Sequence, residues 1–380
     1  MDVCDECVDE EALKEFIRDN AVSESCDFCG RESDEPIACD FDDFKEVIAA
    51  GIAVDWTDAL NFMPRDGDHW ALEDAHRGIY DLLADGELDV ELNEALFQRV
   101  VDEFIDISYA PRYYFDLAPE EALQYGWEAF VSQVSHRTRF FFAGGAGVEE
   151  DHDPREISPA DMMTALGRVI AERGRVRPLP VGTLLHRARL HRRGDPPPAG
   201  AKQLGTPPVE SARYSNRMSP NGIPMFYGSF DEATAILEIA GDGRNPQEDL
   251  TVGVFRTHAE MQIVDLVEPP PILSRYLEDP DNARPALRFL HAFVEEVRRP
   301  IVQDEREHLE YVPTQIVTEY FRHVYAREHG HHVDGISYRS AANREGASIV
   351  LFVENDDCVE VVLGADARQL VLERQYSVLP

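Results

Sequence analysis

The first half of the chain repeats apolar side chains at three- and four-residue spacing, which predicts a mostly helical block over residues 40–175. The clearest segment is Val90 to Ile105, whose apolar residues fall on one helical face. The same spacing predicts helices at Glu10 to Asn20, Phe41 to Ala53, His69 to Leu83, Asp116 to Phe130 and Ser158 to Glu172. The last of these opens with SPAD, a pattern typical of a helix amino terminus.

The pattern changes after Pro178 and Pro180, where short runs of alternating or continuous apolar residues predict strands. These strands are predicted at Val181 to Leu190, Met225 to Ser229, Leu250 to Arg256, Gln262 to Leu266, Gly335 to Ser340, Ala347 to Val353 and Cys358 to Leu363. Helices are predicted between them at Phe230 to Ala240, Arg284 to Val297 and Pro313 to His329. We therefore predict an α+β protein with a helical domain over 1–175 and a mixed-sheet domain over 176–380.

The charge of the chain excludes several classes of partner. It holds 36 Lys and Arg against 73 Asp and Glu, a net charge of −37. Nucleic acids and anionic membranes are bound through Lys and Arg, so neither is expected as a main partner. No stretch approaches the length of an apolar membrane span, and the acidic start MDVCDECVDEEALKEF is unlike a secretion signal. We therefore expect a cytoplasmic protein.

Four of the six cysteines form two CxxC pairs near the start of the chain, Cys4 with Cys7 and Cys26 with Cys29. The two-residue spacing lets both thiolates of a pair face one ion, and two pairs complete a tetrahedral shell. The sequence therefore predicts a structural zinc site within residues 1–40. Four reduced thiols without an ion, or a redox centre, are the alternatives that the pattern leaves open.

One stretch opposes the charge of the whole chain. Between Val181 and Phe230 the only acids are Asp195 and Glu210. The same stretch holds seven basic residues, Arg187, Arg189, Arg192, Arg193, Lys202, Arg213 and Arg217. A local positive excess in an acidic protein predicts a pocket for an anionic ligand.

The segment after that stretch supplies a carboxylate in apolar surroundings. Ser229 and Glu232 have the spacing of a capping box and predict the start of a helix that runs to Ala240. Apolar residues cover almost the whole circumference of this helix, which predicts that it is buried and that Glu238 is enclosed.

These residues are the ones that cleavage of the N-ribosyl bond of NAD would require. Arginine forks bind phosphate oxygens, an aromatic ring accepts the nicotinamide, and a carboxylate stabilises the oxocarbenium-like transition state. The chain supplies Arg187 and Arg217, then Tyr227, then Glu238, in that order. Each also has an ordinary explanation. The arginines could be surface or turn residues, Tyr227 could be a core residue, and Glu238 could lie on the solvent-exposed face of its helix.

Four segments resemble the RES domain family, in order and over most of residues 181–363: LLHRAR, NRMSPNGIPMFYGSFDEATAILE, YVPTQIVTEYF and DGISYRSAANREGASIVLF. By this resemblance Arg217, Tyr227, Glu238 and Ser340 correspond to the arginine, tyrosine, glutamate and serine of the family. Ser348 is the alternative serine. The acidic start with its twin CxxC is similar to the domain found beside HEPN and RES proteins.

The resemblance implies a fold similar to ADP-ribosyltransferases and a toxin of a toxin–antitoxin or defence system that degrades NAD by hydrolysis or phosphorolysis. NAD would be the substrate, held by Arg187, Arg217 and Tyr227, and Asn343 could reach a phosphate from the loop that carries Ser340. An antitoxin or another regulatory protein would be the partner. The sequence leaves the acceptor of the ribosyl group and the formation of a homo-oligomer open.

Three other functions remain as alternatives to a glycosidase of this kind. An ADP-ribosyltransferase would use the same residues with a macromolecule as acceptor. A non-catalytic nucleotide sensor would bind NAD without turnover. A ribonuclease activity of the helical half is the least favoured, because the Arg-to-His spacing of HEPN ribonucleases is missing from it.

Overall fold

The structure is a computed structural model and describes residues 1–61, 65–66, 69–70, 76–140, 157–241, 247–299, 307–361 and 368–378. Packing divides the chain into two units. The first consists of Met1–Ala118 with Ile272–Arg284, and the second of Pro119–Pro271 with Pro285–Pro380. No described helix is long and apolar enough to cross a membrane.

The first unit is mostly helical. Its described helices are α1 (Glu11–Asp19), α2 (Phe41–Asp55), α3 (Ile79–Ala84) and α4 (Glu94–Phe104). Its described strands are β1 (Asp2–Cys4), β2 (Ala38–Asp40), β3 (Trp56–Asp58), β4 (Arg65–Asp66), β5 (His69–Trp70) and β6 (Tyr109–Pro111). β1 pairs with β2, β3 with β6 and β4 with β5. The apolar faces of the helices share one core, in which Leu13, Phe44 and Leu96 are fully buried.

Three of the helices predicted for this unit are confirmed as α1, α2 and α4. α4 begins later than its apolar pattern, because the Asn93 side chain accepts a hydrogen bond from the Leu96 N–H at 2.9 Å and caps the helix there. The helix predicted over His69 to Leu83 is wrong at its start and confirmed at its end, where α3 (Ile79–Ala84) lies. β5 occupies its start, and α3 begins only after Gly78, whose N–H donates to the Asp81 carboxylate at 3.3 Å. Residues 71–75 lie outside the described part of the chain.

The second unit combines a large sheet with helices. Its described helices are α5 (Pro119–His136), α6 (Met162–Glu172), α7 (Ala201–Leu204), α8 (Glu232–Ala240), α9 (Ala283–Arg298, in this unit from Pro285 onward), α10 (Glu307–Glu310), α11 (Val312–His323) and α12 (Tyr325–His329). Its described strands are β7 (Val176–Leu179), β8 (Leu184–Arg192), β9 (Phe226–Ser229), β10 (Glu248–Thr257), β11 (Met261–Leu266), β12 (Gly335–Arg339), β13 (Ala347–Leu351), β14 (Cys358–Val359) and β15 (Leu370–Val378).

These strands form one sheet in the order β14-β15-β10-β8-β9-β13-β12-β11-β7. β11 with β12 and β14 with β15 are parallel, and the other neighbours are antiparallel. The predicted α+β architecture with a mixed sheet is therefore confirmed. β7 and β15 are absent from the predicted strands. β7 is a four-residue edge strand that contains Pro178, which an edge position tolerates.

The described residues between 119 and 175 pack with the second half of the chain, although the sequence pattern places a domain boundary at 175/176. The reason is a core on one face of the sheet that unites α5 and α6 with α9 and α11. Trp127 on α5 lies with its ring centroid 5.0 Å from that of Phe293 on α9, and its Nε1 donates to Glu296 at 2.5 Å. Helices whose apolar faces are buried against each other in this way form one unit.

The sheet opens between β8 and β9. β8 pairs with β10 over nine residues, from Leu184 to Arg192. Towards β9, the described residues share one register pair, His186 with Ser229. Beyond that pair the two strands leave space between them, and the candidate functional site lies in this space.

Candidate functional site

A cleft of about 810 Å³ lies where β8 and β9 separate. Its walls come from these strands, from α8, from residues 207–225 and from the turn after β12. Glu238 is the one acid among the described residues that line the cleft. The arginines that line it are Arg187, Arg189, Arg213, Arg217, Arg298 and Arg339. This excess of arginine agrees with the positive pocket that the charge pattern predicts.

The Glu238 carboxylate is held through one oxygen. Ser340 Oγ donates to Oε1 at 2.5 Å, and Ser348 Oγ lies 3.3 Å from the same atom. Ser340 Oγ also accepts the N–H groups of Ala342 and Asn343, at 3.2 and 2.9 Å, so its own proton is directed at Glu238. No described residue bonds to Oε2, which leaves that oxygen for a ligand.

The enclosure predicted for Glu238 is wrong. α8 buries Thr234 and Ala235 fully, whereas Glu238 is exposed on its cleft side and Ile239 is 46 % exposed. Thr234 and Glu238 lie on the same face of α8, because residues four apart in a helix share a face, but Glu238 lies one turn further along, where the helix borders the cleft. The cap predicted from Ser229 and Glu232 is also wrong. Asp231 caps the helix instead, by accepting a hydrogen bond from the Thr234 N–H at 2.8 Å.

Two tyrosines border the cleft near Glu238. Tyr227 on β9 shares a 2.9 Å hydrogen bond with Ser219, and burial raises the pKa of Tyr227 to about 12. Burial also raises the pKa of Tyr338, with a further contribution from the Glu238 carboxylate. Sequence analysis missed Tyr338, although it precedes Ser340 by two residues, and the alternation of a strand places both on one face.

The two arginines assigned to phosphate binding have different surroundings. Arg187 is half-buried, and its Nη1 donates to the Tyr227 carbonyl at 2.8 Å. Arg217 instead cross-links the wall of the cleft, because its terminal nitrogens donate to the carbonyls of Val297 and Arg299, each at 2.6 Å.

Asn343 is not among the described residues that line the cleft. Its Nδ2 donates to Thr234 Oγ1 at 2.8 Å, and Thr234 Oγ1 donates to Asp231 at 2.6 Å. This chain of bonds ties the turn that carries Ser340 to the start of α8. The turn and the helix thereby hold Ser340 and Glu238 in register.

Two parts of the chain match models of known protein families. Residues 185–373 match the family model of the RES domain, and residues 19–146 match the HEPN/RES N-terminal domain 1. The chain is a RES-domain protein. No curated protein matches it. The RES domain places it with NAD-related enzymes of the toxin type, and every residue named above from Arg187 to Ser348 lies inside the matched range.

The four cysteines of the twin CxxC form a second candidate site in the first unit. Their sulfur atoms all lie within 4.8 Å of one another, close enough to hold one metal ion. The separations are 3.8 Å for Cys4–Cys7, 3.4 Å for Cys4–Cys29 and 3.6 Å for Cys7–Cys26. Sulfurs about 2.3 Å from a tetrahedral metal ion are about 3.8 Å apart, so the four cysteines fit a bound metal ion. Cys39 and Cys358 lie outside the cluster.

Hydrogen bonds prepare part of this cluster for a cation. Burial opposes ionisation of Cys26, but the N–H groups of Phe28, Cys29 and Cys4 outweigh it and lower the pKa of this thiol to about 7. Burial and the neighbouring thiols raise the pKa of Cys4 to about 11 and raise that of Cys7 as well. Four thiols this close cannot all ionise without a cation between them.

Asn93 joins the cysteine cluster to the helical core of its unit. Its Nδ2 donates to Cys7 Sγ at 2.9 Å, while its Oδ1 caps α4. A hydrogen bond to a ligand sulfur orients that ligand, and such contacts affect metal affinity. The start of α4 is therefore fixed by the same residue that contacts the cluster.

We expect the purified protein to contain one metal ion per chain, bound by the four thiolates. Cys26→Ser should lose most of the metal and lower the unfolding temperature of the first unit, because binding free energy adds to folding free energy. Elemental analysis and thermal unfolding check this. Cys358→Ser is the matched control and should keep the metal. Equal metal content in both variants would contradict the assignment.

Proposed function

We propose that this RES-domain protein consumes NAD by cleaving the bond between nicotinamide and ribose, with water or inorganic phosphate as acceptor. The observation that carries the proposal is the Glu238 carboxylate, anchored through Oε1 and open through Oε2 in a cleft rich in arginine. A carboxylate at this position suits a reaction in which positive charge develops on a ribose ring.

The proposed reaction needs one carboxylate and no strong general acid. The bond from ribose C1′ to the pyridinium nitrogen breaks, and its electron pair neutralises that nitrogen, so nicotinamide leaves as a neutral molecule. Glu238 would stabilise the oxocarbenium character at C1′ through its free oxygen. Water or phosphate then bonds to C1′, and when water attacks, one of its protons passes to solvent.

The other site residues would position the substrate and the carboxylate. Tyr227, with its ring at the cleft, is proposed to lie against the nicotinamide, and Arg187 to bind a phosphate. Ser340 would hold Glu238 in place. Arg217 and Asn343 remain proposed site residues, with the wall of the cleft and the Ser340 turn as the structures that they stabilise.

A protein that depletes NAD would act as a toxin of a toxin–antitoxin or defence system, with an antitoxin or another regulatory protein as its partner. The RES domain supports this role. We also propose that the metal of the cysteine cluster is zinc with a structural function, because four thiolates around a closed tetrahedral site favour zinc.

Incubation of the purified protein with NAD is the direct test. We expect release of nicotinamide together with ADP-ribose when water is the acceptor, or with a phosphorylated ADP-ribose when inorganic phosphate is present. Separation of the products by chromatography distinguishes the two. Unchanged NAD under both conditions would contradict the proposal, and a labelled macromolecule would indicate an ADP-ribosyltransferase instead.

Glu238→Gln should lower kcat for NAD by about 100-fold or more, because the amide removes the negative charge that faces the developing cation. KM should change little if the carboxylate acts mainly in the transition state. Steady-state kinetics measure both values. Glu232→Gln, on the same helix but outside the described lining of the cleft, is the control and should keep wild-type kinetics.

Ser340→Ala should lower kcat about 10- to 100-fold, the loss expected for one hydrogen bond to a charged group. Ser348→Ala should have a smaller effect, because its contact with Oε1 is longer by 0.8 Å (3.3 against 2.5 Å). The double variant should be slower than either single one. Wild-type kcat in both single variants would show that neither serine positions Glu238.

A further inference from the structure

Arg187 and Arg189 stand next to each other on one face of β8, two residues apart, and both line the cleft. Arg187 lies over the ring of Phe226, 5.3 Å from its centroid. Arg189 donates through Nη2 to the Gly205 carbonyl at 2.8 Å. The pair therefore forms a compact block of two positive charges at one wall of the cleft.

The described part of the chain offers these two guanidinium groups no counter-charge. Neither has an ion pair with a described carboxylate, and each has one hydrogen bond, to a main-chain carbonyl. The Nε atoms of both are buried and have no hydrogen-bond partner. A buried N–H without an acceptor is uncommon in native proteins and points to a group that is missing.

The charges of the pair also destabilise each other. Burial lowers the pKa of Arg187 to about 9, with a further contribution from the charge of Arg189, and burial lowers the pKa of Arg189 too. Partly buried charges that lack a counter-charge are costly, and an anion bound between the two guanidinium groups would reduce that cost. Arg217 differs, because both of its terminal nitrogens already donate to carbonyls.

We propose that Arg187 and Arg189 together bind the diphosphate of the dinucleotide, with Arg189 as a binding residue that the sequence pattern does not single out. The identity of the ligand rests on the proposed function. Each fork has a free Nε–H beside its terminal nitrogens, which is the arrangement that binds phosphate oxygens in pairs. Two such forks match a ligand with two adjacent phosphoryl groups better than a single phosphate.

Calorimetric titration of the full chain with ADP, inorganic phosphate and adenosine tests this inference. Arg189→Met should weaken ADP binding about 10- to 100-fold, the loss expected for one charged hydrogen-bonding group, and leave adenosine unaffected. Arg192→Met, on the same strand but outside the described lining of the cleft, is the matched control and should bind ADP as the wild type does. Unchanged ADP affinity in Arg189→Met would overturn the proposal.

Inorganic phosphate distinguishes the two sources of a phosphoryl group. The proposal expects it to bind more weakly than ADP and to compete with it. If phosphate binds as tightly as ADP and loses its affinity in Arg189→Met, the pair is a site for the free ion and the diphosphate assignment is overturned.

Thermal unfolding separates a ligand-binding role from a structural one. If the pair awaits an anion, Arg189→Met should unfold at the same or a higher temperature without ligand, because it removes a buried charge without a partner. It should also gain less stability from ADP than the wild type. A lower unfolding temperature with unchanged ADP affinity would show that Arg189 only supports Gly205.

If the methionine variant does not fold, Arg189→Lys is the second variant, because it keeps the positive charge and loses the planar guanidinium group. Wild-type ADP affinity in Arg189→Lys would overturn the proposal.

The outcomes for this inference and for the enzymatic function are separate. ADP binding that depends on Arg189, in a protein that leaves NAD intact, would refute the enzymatic proposal and support the diphosphate site. NAD turnover with the same KM in wild type and Arg189→Met would support the enzymatic proposal and refute the diphosphate site.

Discussion

The hydrogen bond from Ser340 to Glu238 joins two segments that lie 102 residues apart, and the geometry of the site depends on it. Ser340 can donate only in that direction, because two main-chain N–H groups occupy its oxygen from the other side. The link from Asn343 through Thr234 to Asp231 fixes the same turn to the same helix. One oxygen of the carboxylate is thus anchored while the other stays open, so a solvent-exposed glutamate can still have a defined orientation.

The distribution of charge explains how so acidic a protein could bind an anionic dinucleotide. The net charge of −37 repels anions at long range, but solvent and salt screen surface charges over about 8–10 Å. Within the cleft, the charges of partly buried arginines such as Arg187 and Arg189 are screened less, and the described lining contains one acid. Local desolvation, and not net charge, therefore determines what this cleft attracts.

The two units depend on different interactions. The second unit is held by a sheet of nine described strands with an apolar core on its helical face, and its cleft lies where two central strands separate. The first unit is smaller, and its amino-terminal part is organised around four thiols that Asn93 connects to α4. A small unit gains proportionally more stability from a bound metal than a large one does.

Periodicity, spacing and charge are local properties, so they predict the α+β class, most helices and strands, the grouping of the cysteines and the positive character of the segment from Val181 to Phe230. The predictions are wrong for the burial of Glu238 and for the start of the helix over His69 to Leu83, since both depend on which distant segments pack against these residues. Only the fold shows that Tyr338 lines the cleft and that Arg217 is tied to its wall. It also shows that Arg187 and Arg189 have no counter-charge among the described residues. The groups concerned lie tens of residues apart along the chain, and folding alone determines which distant groups meet and which buried donors stay without an acceptor.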